Sequence, residues 1–282
     1  MGRMPYRGRI LTGSIPQVPR HSMSSAAELW RLAHRNEKRP EAIAFTSPGV
    51  YTFLATPLIE NDFADGATVN RASDFAGCGN FLQGYTAKSP TFVKNVINGY
   101  PVIRFDGTQE AYFFRRDLNC YVYSNTFIVA WCCRAIPVTK EGIIFVQSTN
   151  TGSTRCGATV MTTGALRVGG RRNDADAYDY VDAGTGISVD EWVVHSFVFD
   201  WQNKTVRVYS NGVLDGEDTN WLTAGYTAPT YSAYYPTISG HYWSGTPDYL
   251  LQCDLVGFAM ILGKDDSLRQ YIENYFRAIV GV

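Results

Sequence analysis

At 282 residues, with 45% hydrophobic, 14% aromatic and 18% charged side chains, the chain has enough apolar surface for one large domain and is too apolar for a disordered polymer. Its longest uninterrupted apolar run, Phe127 to Cys133, has seven residues, against the ~20 that a membrane-spanning helix needs. The formal charge of −1 is unevenly spread: residues 1–39 hold eight Lys/Arg against Glu28 and Glu37, a net +6 that leaves −7 for the remainder.

Residues 1–22 place Pro5, Pro16 and Pro19 among Gly, Ser and Arg, which predicts an extended arm with no core of its own, docked on a partner chain. Arg3, Arg7 and Arg9 are followed by no apolar stretch, so no secretory signal is read there, and Tyr6 breaks the myristoylation pattern begun by Met1-Gly2. Ser25-Ala26-Ala27-Glu28 has capping-box spacing, and Ala26, Leu29, Trp30, Ala33 and His34 follow at helical intervals until Pro40, predicting a short helix over 25–38. We divide the chain at this point into an arm with a helix, 1–44, and a sandwich domain, 45–282. Arg3, Arg7, Arg9, Arg20, Leu29 and Trp30 are the expected docking residues of the arm. Its arginines alternate with Pro, Ile, Leu and Val, a mixture suited to a groove between proteins with acidic residues rather than to nucleic acid.

From residue 45 the pattern becomes that of strands, expected at 50–54, 92–97, 102–105, 111–114, 126–133, 143–147, 158–161, 165–168, 192–199, 205–209, 237–239 and 253–262. Asn98-Gly99 and Asn211-Gly212 are hairpin signals, since both positions of a tight reversal favour residues that accept positive φ. Pro101 requires a strand start or edge, and Arg104 is expected on the wet face between Ile103 and Phe105. The run 126–133 is apolar on both faces, which predicts a central strand. The chain then returns to helix: Asp265-Asp266 mark an N-terminus, Leu268, Tyr271, Ile272, Tyr275, Phe276 and Ile279 form an apolar stripe, and Gly281 marks the end. The six cysteines, Cys78, Cys120, Cys132, Cys133, Cys156 and Cys253, lack metal-ligand spacing and read as reduced core residues, as in an intracellular assembly compartment.

Three segments in order carry a resemblance. The first is Asn98-Gly99-Tyr100-Pro101-Val102-Ile103-Arg104-Phe105-Asp106-Gly107 with Thr126-Phe127-Ile128-Val129-Ala130. The second is Glu191-Trp192-Val193-Val194-His195-Ser196-Phe197, leading to Val206-Arg207-Val208-Tyr209-Ser210-Asn211-Gly212-Val213. The third is Asp254-Leu255-Val256-Gly257-Phe258-Ala259-Met260 with Ile272-Glu273-Asn274-Tyr275-Phe276. Together they resemble the concanavalin A-like lectin/glucanase superfamily, in the laminin-G-like form carried by bacteriophage virion proteins. The resemblance implies an all-β, two-sheet antiparallel jelly roll, and it leaves function open because that fold hosts lectins, glycanases and structural domains alike.

Glycanases of this superfamily carry a Glu-x-Asp-x-x-Glu strand that sets two carboxyls on one face, and no such string occurs here. Glu217-Asp218 and Asp190-Glu191 are adjacent, so in a strand their side chains would point to opposite faces. There is no G-x-S-x-G, P-loop or G-x-G-x-x-G, and His21, His34, His195 and His241 are scattered; His195 reads as a hydrogen-bonded structural histidine within a strand. Asn173, Asp174, Asp176, Asp179 and Asp182 form an acidic cluster, read first as a solvated loop and second as a calcium site built on Asp174, Asp176 and Asp179. Residues 221–249 concentrate Trp221, Tyr226, Tyr231, Tyr234, Tyr235, Tyr242, Trp243 and Tyr249; loop packing, a protein contact and glycan stacking all suit them. The expectation is a non-enzymatic virion protein for capsid decoration or for head or tail attachment. Its partners would be capsid or tail proteins and a second or third copy of itself, and its place the virion surface. The alternative is a carbohydrate-binding module for host polysaccharide, with calcium as the one conceivable cofactor, and a divergent glycanase stands third.

Overall fold

The computed structural model describes residues 50–54, 63–69, 71–73, 80–83, 89–107, 113–114, 126–135, 140–148, 154–172, 175–184, 186–188, 190–222, 236–243 and 246–282. The expected 1–44 arm, with Arg3, Arg7, Arg9, Arg20, Leu29 and Trp30, lies outside them. In chain order the strands are β1 (Val50–Leu54), β2 (Arg71–Ser73), β3 (Asn80–Gln83), β4 (Thr91–Ile97), β5 (Tyr100–Asp106), β6 (Phe113–Phe114), β7 (Thr126–Ala135), β8 (Gly142–Ser148) and β9 (Thr154–Val160). There follow β10 (Leu166–Gly170), β11 (Asp179–Asp182), β12 (Trp192–Asp200), β13 (Thr205–Ser210), β14 (Val213–Asp218), β15 (Thr237–Ile238), β16 (His241–Trp243), β17 (Thr246–Asp248) and β18 (Gln252–Leu262). A helix, α1 (Asp266–Val280), completes the order.

The strands form two antiparallel eight-stranded sheets and a small two-stranded one. The first sheet runs β14-β13-β12-β7-β18-β5-β4, with β1 also paired to β18; the second runs β11-β10-β9-β8-β15-β6-β3-β2. This is the two-sheet antiparallel jelly-roll sandwich that the sequence implies. β7 lies between β12 and β18, as its two apolar faces demand: Val129, Trp131 and Cys133 join the core between the sheets, while Ile128, Ala130 and Cys132 point to the other side. Asn98-Gly99 (φ 48° and 81°) and Asn211-Gly212 (φ 50° and 85°) make the β4–β5 and β13–β14 reversals with both central residues left-handed. Pro101 fits its strand because β18 pairs with β5 only from Ile103 onward, so the missing N–H is not needed on that side.

α1 covers the outer face of the first sheet. Asp265 caps it by accepting from the Leu268 amide at 2.9 Å, and Gly281 ends it at φ 80°. Ile272, Phe276, Ile279 and Val280 pack on Val102, Ile128, Ala130, Cys132, Val194, Val198, Val256, Ala259 and Ile261. The expected stripe needs one correction: Tyr271 is 49% exposed, and the buried face instead includes Arg269 and Glu273. Arg269 Nη1 donates to Glu273 Oε1 at 2.5 Å, Ser196 on β12 donates to the same oxygen, and the Arg269 guanidinium lies 3.6 Å from the Tyr209 ring centroid. Each charge buried under the helix is therefore paired and hydrogen-bonded, which is the condition for tolerating it there.

A second buried carboxylate holds the far end of the same sheet. Asp254 has no solvent exposure and accepts from Arg104 Nε (2.7 Å), Arg104 Nη2 (3.0 Å) and Arg134 Nη2 (2.6 Å), side chains brought alongside it by the β5–β18–β7 register. Arg104 is thus on the outer face as expected. Cys132, Cys133, Cys156 and Cys253 are buried free thiols, and burial raises the pKa of Cys132 and Cys253 well above the usual thiol value.

Candidate functional site

The second sheet carries no helix among the described residues, and its outer face at the β10–β11 edge presents a row of planar side chains. On β10, Leu166 and Val168 face the core, so Arg167 and Gly169 face outward. On β11, Val181 packs against the core while Tyr180 and Asp182 face outward. The register sets Arg167 opposite Asp182 and Gly169 opposite Tyr180.

That glycine positions the site. A Cβ at residue 169 would lie 2.6 Å from Tyr180 Cβ and 2.2 Å from the Asp179 carbonyl oxygen, so any side chain there would push Tyr180 off the strand. With the space free, the Arg167 guanidinium stacks 3.8 Å from the Tyr180 ring centroid while donating to both Asp182 oxygens, at 2.9 and 3.0 Å. Tyr178 stacks on Tyr180 with centroids 6.3 Å apart and planes at 28°, and the Arg171 guanidinium lies 5.8 Å from the Tyr178 centroid. Next to it, Arg172 donates to both oxygens of Asp176 at 2.7 and 2.9 Å.

The row is thus a cation–aromatic–aromatic–cation stack. Tyr180 is 42% exposed, and the Arg167–Asp182 pair remains open to solvent. The Asp182 hydrogen bonds raise the Arg167 pKa further, so this guanidinium is a permanent donor. Such a surface offers N–H donors, carboxylate acceptors and a phenol edge to hydroxyl groups. It places no nucleophile beside a base.

The residues singled out from sequence fall in different places. Trp221, for which packing, a protein contact and glycan stacking all stand as readings, takes the packing one and is fully buried: its ring lies 4.9 Å from that of Trp201 and 6.1 Å from that of Phe199, and its Nε1 donates to the Asp179 carbonyl at 3.0 Å. The reason is its place just after β14, where the chain turns inward and the Trp221 amide donates to the Lys204 carbonyl. Tyr242 and Trp243 belong to β16, paired with β17. Tyr226, Tyr231, Tyr234 and Tyr235 lie outside the described residues.

Of the calcium candidates, Asp174 lies outside the described residues. Asp176 is committed to Arg172, and Asp179 Oδ2 accepts from the Leu222 amide at 2.7 Å. Among the described residues no cluster of His, Cys, Asp or Glu has the makings of a metal site. His195 is a buried, hydrogen-bonded residue within β12, with Ser210 Oγ 3.1 Å from its Nδ1. Burial lowers its pKa to about 4. Arg167, Tyr178 and Tyr180 were not singled out from sequence; the one local signal is the outward-facing glycine in Leu166-Arg167-Val168-Gly169-Gly170, since glycine inside a strand marks a close approach.

No family model matches the sequence, and no curated protein does either. Among solved structures, a Trypanosoma rangeli sialidase in complex with 2,3-difluoro-KDN matches 83% of this chain at a TM-score of 0.52 and 10% identity. The match takes in 33% of the sialidase chain, so this protein corresponds to about a third of that enzyme's length. The CBM40 of a Ruminococcus gnavus IT-sialidase, bound to α2,3-sialyllactose, matches 52% of this chain and 82% of its own at a TM-score of 0.43 and 13% identity. A heptameric SAP-like pentraxin from Limulus polyphemus matches 61% of this chain and 79% of its own at 0.45 and 17%. At these identities the likeness speaks for architecture alone, and the strand order is that of a two-sheet antiparallel β-sandwich.

Proposed function

We propose that the protein is a non-catalytic carbohydrate-binding module whose ligand surface is the Arg167–Tyr178–Tyr180–Asp182 row at the edge of the second sheet. The observation that carries this reading is the asymmetry of the sandwich: α1 covers the outer face of the first sheet, while the second sheet's edge offers solvent a flat run of aromatic, guanidinium and carboxylate groups. Sugars suit such a surface because their hydroxyls accept from arginine and donate to carboxylate in the same plane.

A glycan array with the full chain tests the proposal. Specific binding that falls at least about tenfold, 1.4 kcal/mol, in Arg167→Ala and Tyr180→Ala supports it. Silence across bacterial and host glycans, or binding unchanged in both variants, overturns it. A reducing-sugar assay on any bound polysaccharide is expected to show no turnover.

A second reading, a virion decoration or attachment protein, is favoured by the net +6 of residues 1–39 beside a −7 remainder. It is compatible with glycan binding, the arm docking on the particle and the sandwich facing outward. Deletion of residues 1–40 is the test: a truncated protein that still joins particles at full occupancy ends that reading.

A further inference from the structure

His195 lies on β12 between Val193 and Phe197, which both join the core between the sheets, so its ring points into that core. Ser210 Oγ, on the paired strand β13, has a single proton and donates it to Asp215 Oδ2 on β14 at 2.7 Å. The 3.1 Å contact between Ser210 Oγ and His195 Nδ1 must then be donated by the ring. This fixes the tautomer: Nδ1 carries the hydrogen, and Nε2 is a bare lone pair, buried and with no hydrogen-bond partner among the described residues. The chain of bonds continues outward, because the Asp215 carbonyl accepts from the Gly184 amide at 3.3 Å, two residues past β11. There the two sheets touch: a Cβ on Gly216 would lie 3.3 Å from Val181 Cγ2 and 3.4 Å from Ala183 Cα.

We propose that His195, Ser210 and Asp215 form a proton-sensitive latch that holds β14 against β11, and with it the Tyr180 surface, on the sandwich. The proposal takes the carbohydrate reading of that surface as given and adds its regulation. A proton added at Nε2 would create a charge and a donor at a buried atom that has no hydrogen-bond partner among the described residues, so it is taken up only once the edge has opened. The ionisable groups around the ring are few. β14 brings Asp215, whose charge favours the protonated ring, as does a hydrogen bond to the Tyr209 backbone on β13; β10 and β11 present Leu166, Val168 and Val181 to the same core. Burial outweighs Asp215 and keeps the closed-state pKa near 4, against 6.5 for an exposed histidine. By linkage the edge then opens ~20-fold more readily at pH 5 than at pH 7.

Amide hydrogen exchange on the full chain, corrected for intrinsic rates, reads this directly. Residues 180–184 and 213–218 are expected to exchange ~20-fold faster at pH 5 than at pH 7 while β7 and β18 hold steady, and His195→Asn, which keeps an N–H at the Nδ1 position, should abolish the difference. An equal acceleration in every strand, or an undiminished effect in His195→Asn, overturns the latch. Should that variant fail to fold, ring ¹⁵N shifts of the wild-type protein decide: a proton on Nε2 at pH 7 is incompatible with the proposal. The exchange measurement requires no ligand, so its failure is distinct from failure of the carbohydrate reading. Glycan binding that is identical at pH 5 and pH 7 would sink the latch and leave that reading intact.

Discussion

The two outer faces of this sandwich make opposite use of arginine. Under α1, Arg269 is closed off from water with Glu273, Ser196 and the Tyr209 ring, and the face exists to be covered. At the β10–β11 edge, Arg167 has the same kinds of neighbour, a carboxylate and a tyrosine ring, yet all three reach solvent. The difference teaches that the chemistry of a cluster does not declare its role; the layer above it does. The first arrangement is a structural joint, and the second is a surface available to another molecule.

Truncation should separate the two faces sharply. Phe276→Ala opens a cavity beneath α1 and is expected to cost about 3–5 kcal/mol, and Glu273→Ala, which leaves Arg269 buried without its partner, a similar amount. Urea unfolding of each variant measures this. A cost below about 1 kcal/mol in both would mean that α1 is an ornament on the sheet.

Acidification has the next largest effect, through His195. Its folded-state pKa of about 4 lies below the unfolded value of 6.5, so the unfolded chain takes up the proton first as pH falls. The contribution of the neutral ring is therefore complete above pH 6.5 and is lost progressively down to pH 4, about 3 kcal/mol in all. The difference in stability between wild type and His195→Asn, followed from pH 7 to pH 4, should shrink by that amount, and a constant difference would contradict the burial argument.

Gly169→Ala forces Tyr180 aside and is expected to cost about 1–3 kcal/mol while breaking the stack with Arg167. Circular dichroism in the aromatic region together with thermal melts would report both effects. The smallest change is expected for Asp182→Asn. An exposed ion pair contributes less than about 1 kcal/mol, so the melting temperature should barely move. If the same substitution also leaves glycan binding unchanged, the contrast between the two faces loses its functional half.

Much of the framework could be read from the chain because its signals are local. Asn98-Gly99 and Asn211-Gly212 announce reversals through backbone angles that few residues accept, and β7, β12 and β18 announce themselves by apolar runs. β11 and β14 did not, since Asp179-Tyr180-Val181-Asp182 and Val213-Leu214-Asp215-Gly216-Glu217-Asp218 are polar strands on the edges of their sheets and carry no apolar alternation. The pairing of Arg104 with Asp254 joins residues 150 apart in sequence, and only the register reveals it. Trp221 shows the converse case, in which the sequence left packing and contact both open and the ring is packed. An aromatic residue among turn formers suits a loop surface as well as a core, and composition does not say which way the ring faces.

The position of β18 has a consequence for how the chain is made. It is synthesised after every other described strand, yet it lies inside the first sheet, with β7 on one side and β5 and β1 on the other. A nascent chain that has released everything up to residue 251 therefore holds β4–β5 and β7–β12–β13–β14 as separate pieces with open edges, and the pairings that β18 makes bridge about 120 to 210 residues. Such long-range closure is slow, and the unpaired edges are prone to self-association meanwhile. Expression yield should thus respond more to changes in β18 than to equally buried changes in β12, whose partners emerge close beside it.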